Sequence, residues 1–110
     1  MEDQEPKKEL KSFPFLKKLE RKMDEAKKIN AKDSRLKRKF KSGPSQIAKK
    51  MGEEAVEMVI ASEKDDDSEF LEEAADVLYY YLLSLHDRGY KLRDVLLILK
   101  SRHKKRKSKK

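Results

Sequence analysis

Lys50-Met51-Gly52-Glu53-Glu54-Ala55-Val56-Glu57 is followed, fifteen residues after its last member, by Glu72-Glu73-Ala74-Ala75-Asp76. Both stretches lie in apolar patterns of helical period, and residues three or four apart on a helix share a face. Glu54 and Glu57 therefore point the same way, with Glu53 one position round. Glu73 and Asp76 do the same on the next helix, flanked by Glu72. Carboxylates crowded on one face repel, and two such faces meeting in a bundle need a counter-charge. A hard divalent cation supplies it: Mg2+ takes oxygen ligands and keeps several waters or substrate phosphates. Ala55, Ala74 and Ala75 are small enough to let the two helices approach. Charge alone would fit a pair of solvated acidic faces. The spacing E-E-x-x-E, then E-x-x-D one helix later, is more specific than a charge run.

Working outward, the pattern predicts an all-α chain, a bundle of about four helices. Ser12 is the expected N-cap of the first helix, with Pro14 in its first turn. Leu16, Leu19, Met23 and Ala26 form its stripe to about Asn30. Residues 31–42 hold Lys32, Arg35, Lys37, Arg38, Lys39 and Lys41, with only Leu36 and Phe40 large and apolar. This is a connecting loop or a short helix, read either as solvated lysines or as a phosphate-facing strip. Gly43-Pro44 breaks the chain and opens the second helix. There Ile47, Met51, Ala55, Met58 and Ala61 make a stripe that Val56, Val59 and Ile60 widen. Gly52 in mid-helix is either tolerated or a point of close approach by a ligand or backbone, and it costs about 1 kcal/mol against alanine.

Residues 63–68 read as a polar loop, with Asp67 or Ser68 capping a third helix to Asp87. Its expected core face is Phe70, Leu71, Ala74, Val77, Leu78, Tyr81, Leu82 and Leu85. Tyr79, Tyr80 and Tyr81 are consecutive, so they cannot share one face; one is expected in the core and one at the site or an interface. His86 reads as a capping or surface histidine, and Gly89 as the residue that ends the helix. A fourth helix is expected from Leu92 to Arg102, with a stripe of Leu92, Val95, Leu96 and Leu99. Residues 1–11 and the basic tail 104–110 are expected to be disordered.

Composition sets the bounds. The chain has 110 residues, 45% charged and 36% hydrophobic, with no cysteine. That length suits one domain, here residues 12–103. Without cysteine there is no disulfide, thiol catalysis or cysteine-held zinc. No apolar run is long enough to span a membrane, and the acidic N-terminus has no apolar stretch of secretory type, so a cytoplasmic location is expected. The net charge of +8 is unevenly placed: residues 1–45 carry +7, residues 46–99 carry −7 and residues 100–110 carry +8. An acidic centre suits a cation, and basic flanks suit a polyphosphate or nucleic acid.

Ile47-Ala48-Lys49-Lys50-Met51-Gly52-Glu53-Glu54-Ala55-Val56-Glu57, then Glu73-Ala74-Ala75-Asp76-Val77-Leu78-Tyr79, then Arg88-Gly89, resembles the phosphoribosyl-ATP pyrophosphatases of histidine biosynthesis. These belong to the MazG-like all-α nucleotide pyrophosphohydrolases. The resemblance covers residues 15–103. It implies a helical dimer or higher homo-oligomer that cleaves between the α- and β-phosphates of a nucleotide substrate with Mg2+. By motif position it implies that Glu54, Glu57, Glu73 and Asp76 hold metal. Glu53 would bind a second metal or orient the attacking water, sharing the catalytic work with Glu54. Lys50, with Lys49 and Arg35, would contact phosphate. The family commonly carries Ser-Tyr-Thr where this chain has Ser34-Arg35-Leu36, and a histidine where it has Tyr80. These departures touch the substrate side and leave the carboxylates intact. Two alternatives therefore stand beside phosphoribosyl-ATP hydrolysis. One is a house-cleaning nucleoside triphosphate pyrophosphohydrolase. The other is a non-enzymatic helical protein that binds nucleic acid through residues 32–41 and the tail.

Overall fold

The computed structural model describes residues 13–28 and 30–108. The segment 1–11, the Ser12 cap, Lys109 and Lys110 lie outside the described residues. Among those residues there are five α-helices and no strand: α1 (Pro14–Ala26), α2 (Ser34–Lys41), α3 (Pro44–Ser62), α4 (Asp67–Asp87) and α5 (Leu92–Ser108).

The helix boundaries follow local chemistry. Helix α1 opens at Pro14 with Phe13 as its N-cap, and it stops before the expected Asn30. Its end tightens, with Lys27 and Lys28 N–H donating to the carbonyls of Asp24 and Glu25. The basic stretch is a helix rather than a loop, because the Asp33 carboxylate accepts from Leu36 N–H at 3.1 Å and caps it. Gly43 holds φ +93, which only glycine adopts without strain, so the chain turns directly into Pro44 at the start of α3. Asp66, not Asp67 or Ser68, caps α4 by accepting from Glu69 N–H at 3.1 Å. That places Asp67 and Glu69 in the first turn, where the helix dipole favours them. Gly89, at φ +84, closes α4 as expected. Its N–H bonds to His86 O and that of Tyr90 to Leu85 O, the Schellman pattern. Helix α5 does not stop at Arg102 but runs to Ser108 through the segment expected to be disordered. Lysine and arginine are good helix formers, and no proline or glycine interrupts them.

The closest packing joins α3 and α4, consecutive helices linked by the short turn 63–66, which makes them antiparallel neighbours. Met23, Ala26, Leu36, Ile47, Leu82 and Leu83 form the core, with Leu16, Leu19, Phe40, Tyr79, Tyr80 and Leu92 packed around it. The α1 stripe is as expected. Helices α3 and α4 differ from expectation: Leu83 is buried, while Leu71 (64%), Leu78 (46%), Val56 and Val59 stay exposed. Leu96, Leu97, Ile98 and Leu99 on α5 are each about half exposed, so α5 meets this core chiefly through Leu92.

His86 is the main correction. It is fully buried, not a surface or capping residue. Its Nδ1 lies 2.7 Å from Asp24 Oδ1 and its Nε2 lies 2.9 Å from Glu20 Oε1. The same Glu20 oxygen accepts from Leu92 N–H at 2.8 Å, and Lys27 donates to the His86 carbonyl. This cluster ties α1, the end of α4 and the start of α5 together.

Candidate active site

Helices α3 and α4 bring carboxylates from both sequence blocks together. One oxygen each from Glu54, Glu73 and Asp76 lies within 4.8 Å of the others. Glu73 and Asp76 share a face of α4 by their three-residue spacing, and Glu54 meets them across the helix pair. Glu57 stands near enough to act on Glu73 electrostatically, but its carboxylate is not one of the three that converge. Partial burial, then the charges of Glu54, Asp76 and Glu57, then a hydrogen bond with Glu54, raise the Glu73 pKa above the ordinary glutamate value. This repulsion is what a bound cation relieves.

The donor set fits a hard divalent ion. All three groups offer oxygen, and no sulfur or imidazole is among them, which disfavours zinc or copper. Three carboxylate oxygens leave open positions on an ion that takes about six ligands, room for water and phosphate. The separations require only side-chain adjustment on a half-open face.

Glu53 is exposed, and its carboxylate sits 3.8 Å from Lys50 Nζ. An exposed pair of this kind contributes ~0–1 kcal/mol, so both groups are readily available to other partners. Gly52 has open space where a Cβ would project, and no backbone of this chain approaches it.

A cavity of about 420 Å³ lies between α2, α3 and α4, and Lys50 in its wall is one helical turn before Glu54 on α3. Its wall includes Arg35, Arg38, Lys39, Gln46, Lys50 and Tyr80, and no acidic residue. Of the expected phosphate contacts, Arg35 and Lys50 face this cavity, whereas Lys49 is exposed and does not line it. Of the residues named here, Arg38, Lys39, Gln46 and Tyr80 were not singled out in the sequence as site residues. The Lys39 ammonium lies 5.9 and 5.4 Å from the ring centres of Tyr79 and Tyr80 and donates to Tyr80 Oη at 3.4 Å. The two rings meet edge to face at 5.4 Å. Burial, and then the neighbouring Tyr80, push the Tyr79 phenol pKa up. The run of three tyrosines was the available signal, but which ring faces the cavity depends on how α2 crosses α4. Leu36, where the resembling family carries a polar residue, is 5% exposed and belongs to the core.

A family model described as phosphoribosyl-ATP pyrophosphohydrolase matches residues 16–103. The histidine biosynthesis bifunctional protein HisIE of Buchnera aphidicola subsp. Schizaphis graminum is 38% identical over 88 residues, covering 80% of this chain and 42% of that protein. The protein of the same name from Campylobacter jejuni is 39% identical over 92 residues, 84% of this chain and 44% of that one. A phosphoribosyl-ATP pyrophosphatase of Ruegeria sp. is 47% identical over 60 residues, 54% of this chain and 57% of that protein. The chain thus spans less than half of these bifunctional relatives and just over half of the shorter one. Among the described residues, no helix is long and apolar enough to cross a membrane.

Proposed function

The chain belongs to the phosphoribosyl-ATP pyrophosphohydrolase family, and from that premise we propose that it hydrolyses phosphoribosyl-ATP to phosphoribosyl-AMP and pyrophosphate in histidine biosynthesis, in the cytoplasm and with Mg2+. One observation carries the reading: Glu54, Glu73 and Asp76 converge from two helices that also line a cavity walled by cations. Glu54, Glu73 and Asp76, with Glu57 swinging in, would hold the ion. Mg2+ there would neutralise charge on the phosphate oxygens and orient a water in line with the bond to be broken. Glu53 would accept a proton from that water, or hold a second ion. Lys50 and Arg35, which line the cavity, would meet phosphate oxygens. Water adds to the α-phosphorus, the bond to the bridging oxygen breaks, and pyrophosphate leaves with that oxygen. No covalent enzyme intermediate is required.

We assign the fold to the MazG-like class and the working form to a dimer or larger homo-oligomer. The half-exposed run Leu96–Leu99 supports an assembly in which α5 is covered.

The test is pyrophosphate release with Mg2+, comparing phosphoribosyl-ATP with ATP, dATP, dCTP and dUTP. The expected result is strong preference for phosphoribosyl-ATP, abolished in Glu73→Gln and Asp76→Asn proteins that remain folded. Preference for a free nucleoside triphosphate would replace the substrate and make Arg35 and Leu36 marks of a different specificity. Wild-type turnover in either variant would refute the ligand assignment.

A further inference from the structure

We infer that the basic cavity binds the β- and γ-phosphates, the part of the substrate that leaves as pyrophosphate, and not the distant phosphate on the phosphoribosyl group. The inference rests on the function proposed above and assigns a role to Arg38, Lys39 and Tyr80 as well as to Arg35 and Lys50.

Position is the first argument. Lys50 lies four residues before Glu54 on α3, and Tyr80 lies four residues after Asp76 on α4. On antiparallel helices these displacements run the same way in space. The cavity therefore begins one helical turn, ~6 Å, from the carboxylates. A phosphate chain whose α-phosphorus sits at the carboxylates reaches that distance with its β- and γ-groups. The phosphoribosyl phosphate lies on the far side of the adenine and ribose and falls outside it.

Charge is the second argument. Four cationic side chains, Arg35, Arg38, Lys39 and Lys50, line the cavity without a carboxylate among them. A single phosphate monoester needs fewer partners than that; a diphosphate presents more oxygens and more charge, and suits several charged donors at once. The volume of about 420 Å³ accommodates it together with bridging water.

Preorganisation is the third. Lys39 is not a free surface lysine, because its ammonium bonds Tyr80 Oη at 3.4 Å, at the hydroxyl edge of that ring, and lies 5.9 Å from the Tyr79 ring centre. Bracing a flexible side chain lowers the ordering cost when the anion arrives. Tyr80 Oη accepts from Lys39, which leaves its own O–H to donate to a phosphate oxygen.

Inorganic pyrophosphate and phosphoribosyl-AMP are the probes, each titrated calorimetrically into the full chain with Mg2+. The proteins are wild type, Arg38→Gln, Lys39→Gln and Tyr80→Phe. Arg38→Gln alters an exposed residue and Tyr80→Phe removes only a hydroxyl, so both keep the fold, as circular dichroism would verify. Expected are a loss of pyrophosphate affinity of about tenfold or more for Arg38→Gln and Lys39→Gln, a severalfold loss for Tyr80→Phe, and unchanged affinity for phosphoribosyl-AMP. Variants that weaken phosphoribosyl-AMP and spare pyrophosphate would overturn the assignment in favour of the phosphoribosyl phosphate. Wild type that fails to bind pyrophosphate, or variants that bind both probes normally, would overturn it outright. Turnover of phosphoribosyl-ATP by the wild type is measured separately. Its absence alongside the expected pyrophosphate losses would refute the proposed substrate and leave the cavity as a diphosphate site.

Discussion

Truncating His86 to alanine should be among the most damaging single changes in this chain. The ring is fully buried, and its two nitrogens lie 2.7 and 2.9 Å from carboxylate oxygens of Asp24 and Glu20. His86→Ala removes both bonds, leaves a cavity, and strands the Glu20 side chain, only 15% exposed, with Leu92 N–H as its remaining partner. Removing a fully buried side chain of this size and its hydrogen bonds costs ~3–5 kcal/mol. Whole domains are stable by ~5–15 kcal/mol, so the variant loses about a fifth of its margin or more and melts ~10 °C or more lower. Asp24 is 41% exposed, so Asp24→Ala should cost only ~1 kcal/mol. Glu20→Ala falls between them and also loosens the start of α5. Urea unfolding followed by far-UV circular dichroism, at one protein concentration because assembly adds to apparent stability, gives the ranking. If His86→Ala lost less than ~1 kcal/mol, or less than Asp24→Ala, the cluster would not be the tie between α1, α4 and α5 described here.

Glu73, raised by partial burial and then by Glu54, Asp76 and Glu57, binds its proton more tightly in the folded chain than in the unfolded one. The stability this gives is fully present below the ordinary value of 4.5 and is lost as pH rises through the higher folded value. Metal-free protein should therefore unfold less readily as pH falls through that window, and Glu73→Gln should flatten the dependence in thermal melts. Gly52→Ala should stabilise by ~1 kcal/mol, because the new methyl meets nothing in this chain and helix propensity improves. Chemical denaturation that showed a loss instead would mean that another subunit packs on Gly52. Deleting residues 104–110 should leave pyrophosphate release nearly unchanged; a large fall in kcat/KM would bring the basic end of α5 into substrate binding.

Much of this fold is a local matter and could be read directly. The period of Leu16, Leu19, Met23 and Ala26 predicts α1 and its buried face. Gly43-Pro44 and Gly89 mark a start and an end, because the backbone there needs positive φ and proline cannot sit deep in a helix. The carboxylate spacing predicts that Glu54, Glu57, Glu73 and Asp76 share a site, and all but Glu57 converge, since helical geometry decides which residues face together and the short 63–66 turn makes α3 and α4 neighbours. Other features had no local signal. Helix α2 carries only Leu36 and Phe40 as apolar residues, so its docking rests on a cap at Asp33 and on a core supplied by α1 and α4. The apolar bands of α3 and α4 are wider than one chain can cover; packing of this subunit takes Leu83 and leaves Leu71 and Leu78 exposed.

By itself, then, the sequence determined α1, α3 and α4, their order and the crowding of carboxylates on the facing sides of α3 and α4, because each depends on residues a few positions apart. Only the tertiary structure decided the surroundings of His86, whose partners lie 62 and 66 residues away, and the cavity where Lys39 meets Tyr79 and Tyr80. Both are set by how α1 and α2 lie against α4, a choice made by burial of the whole core and not by the pattern along any one helix.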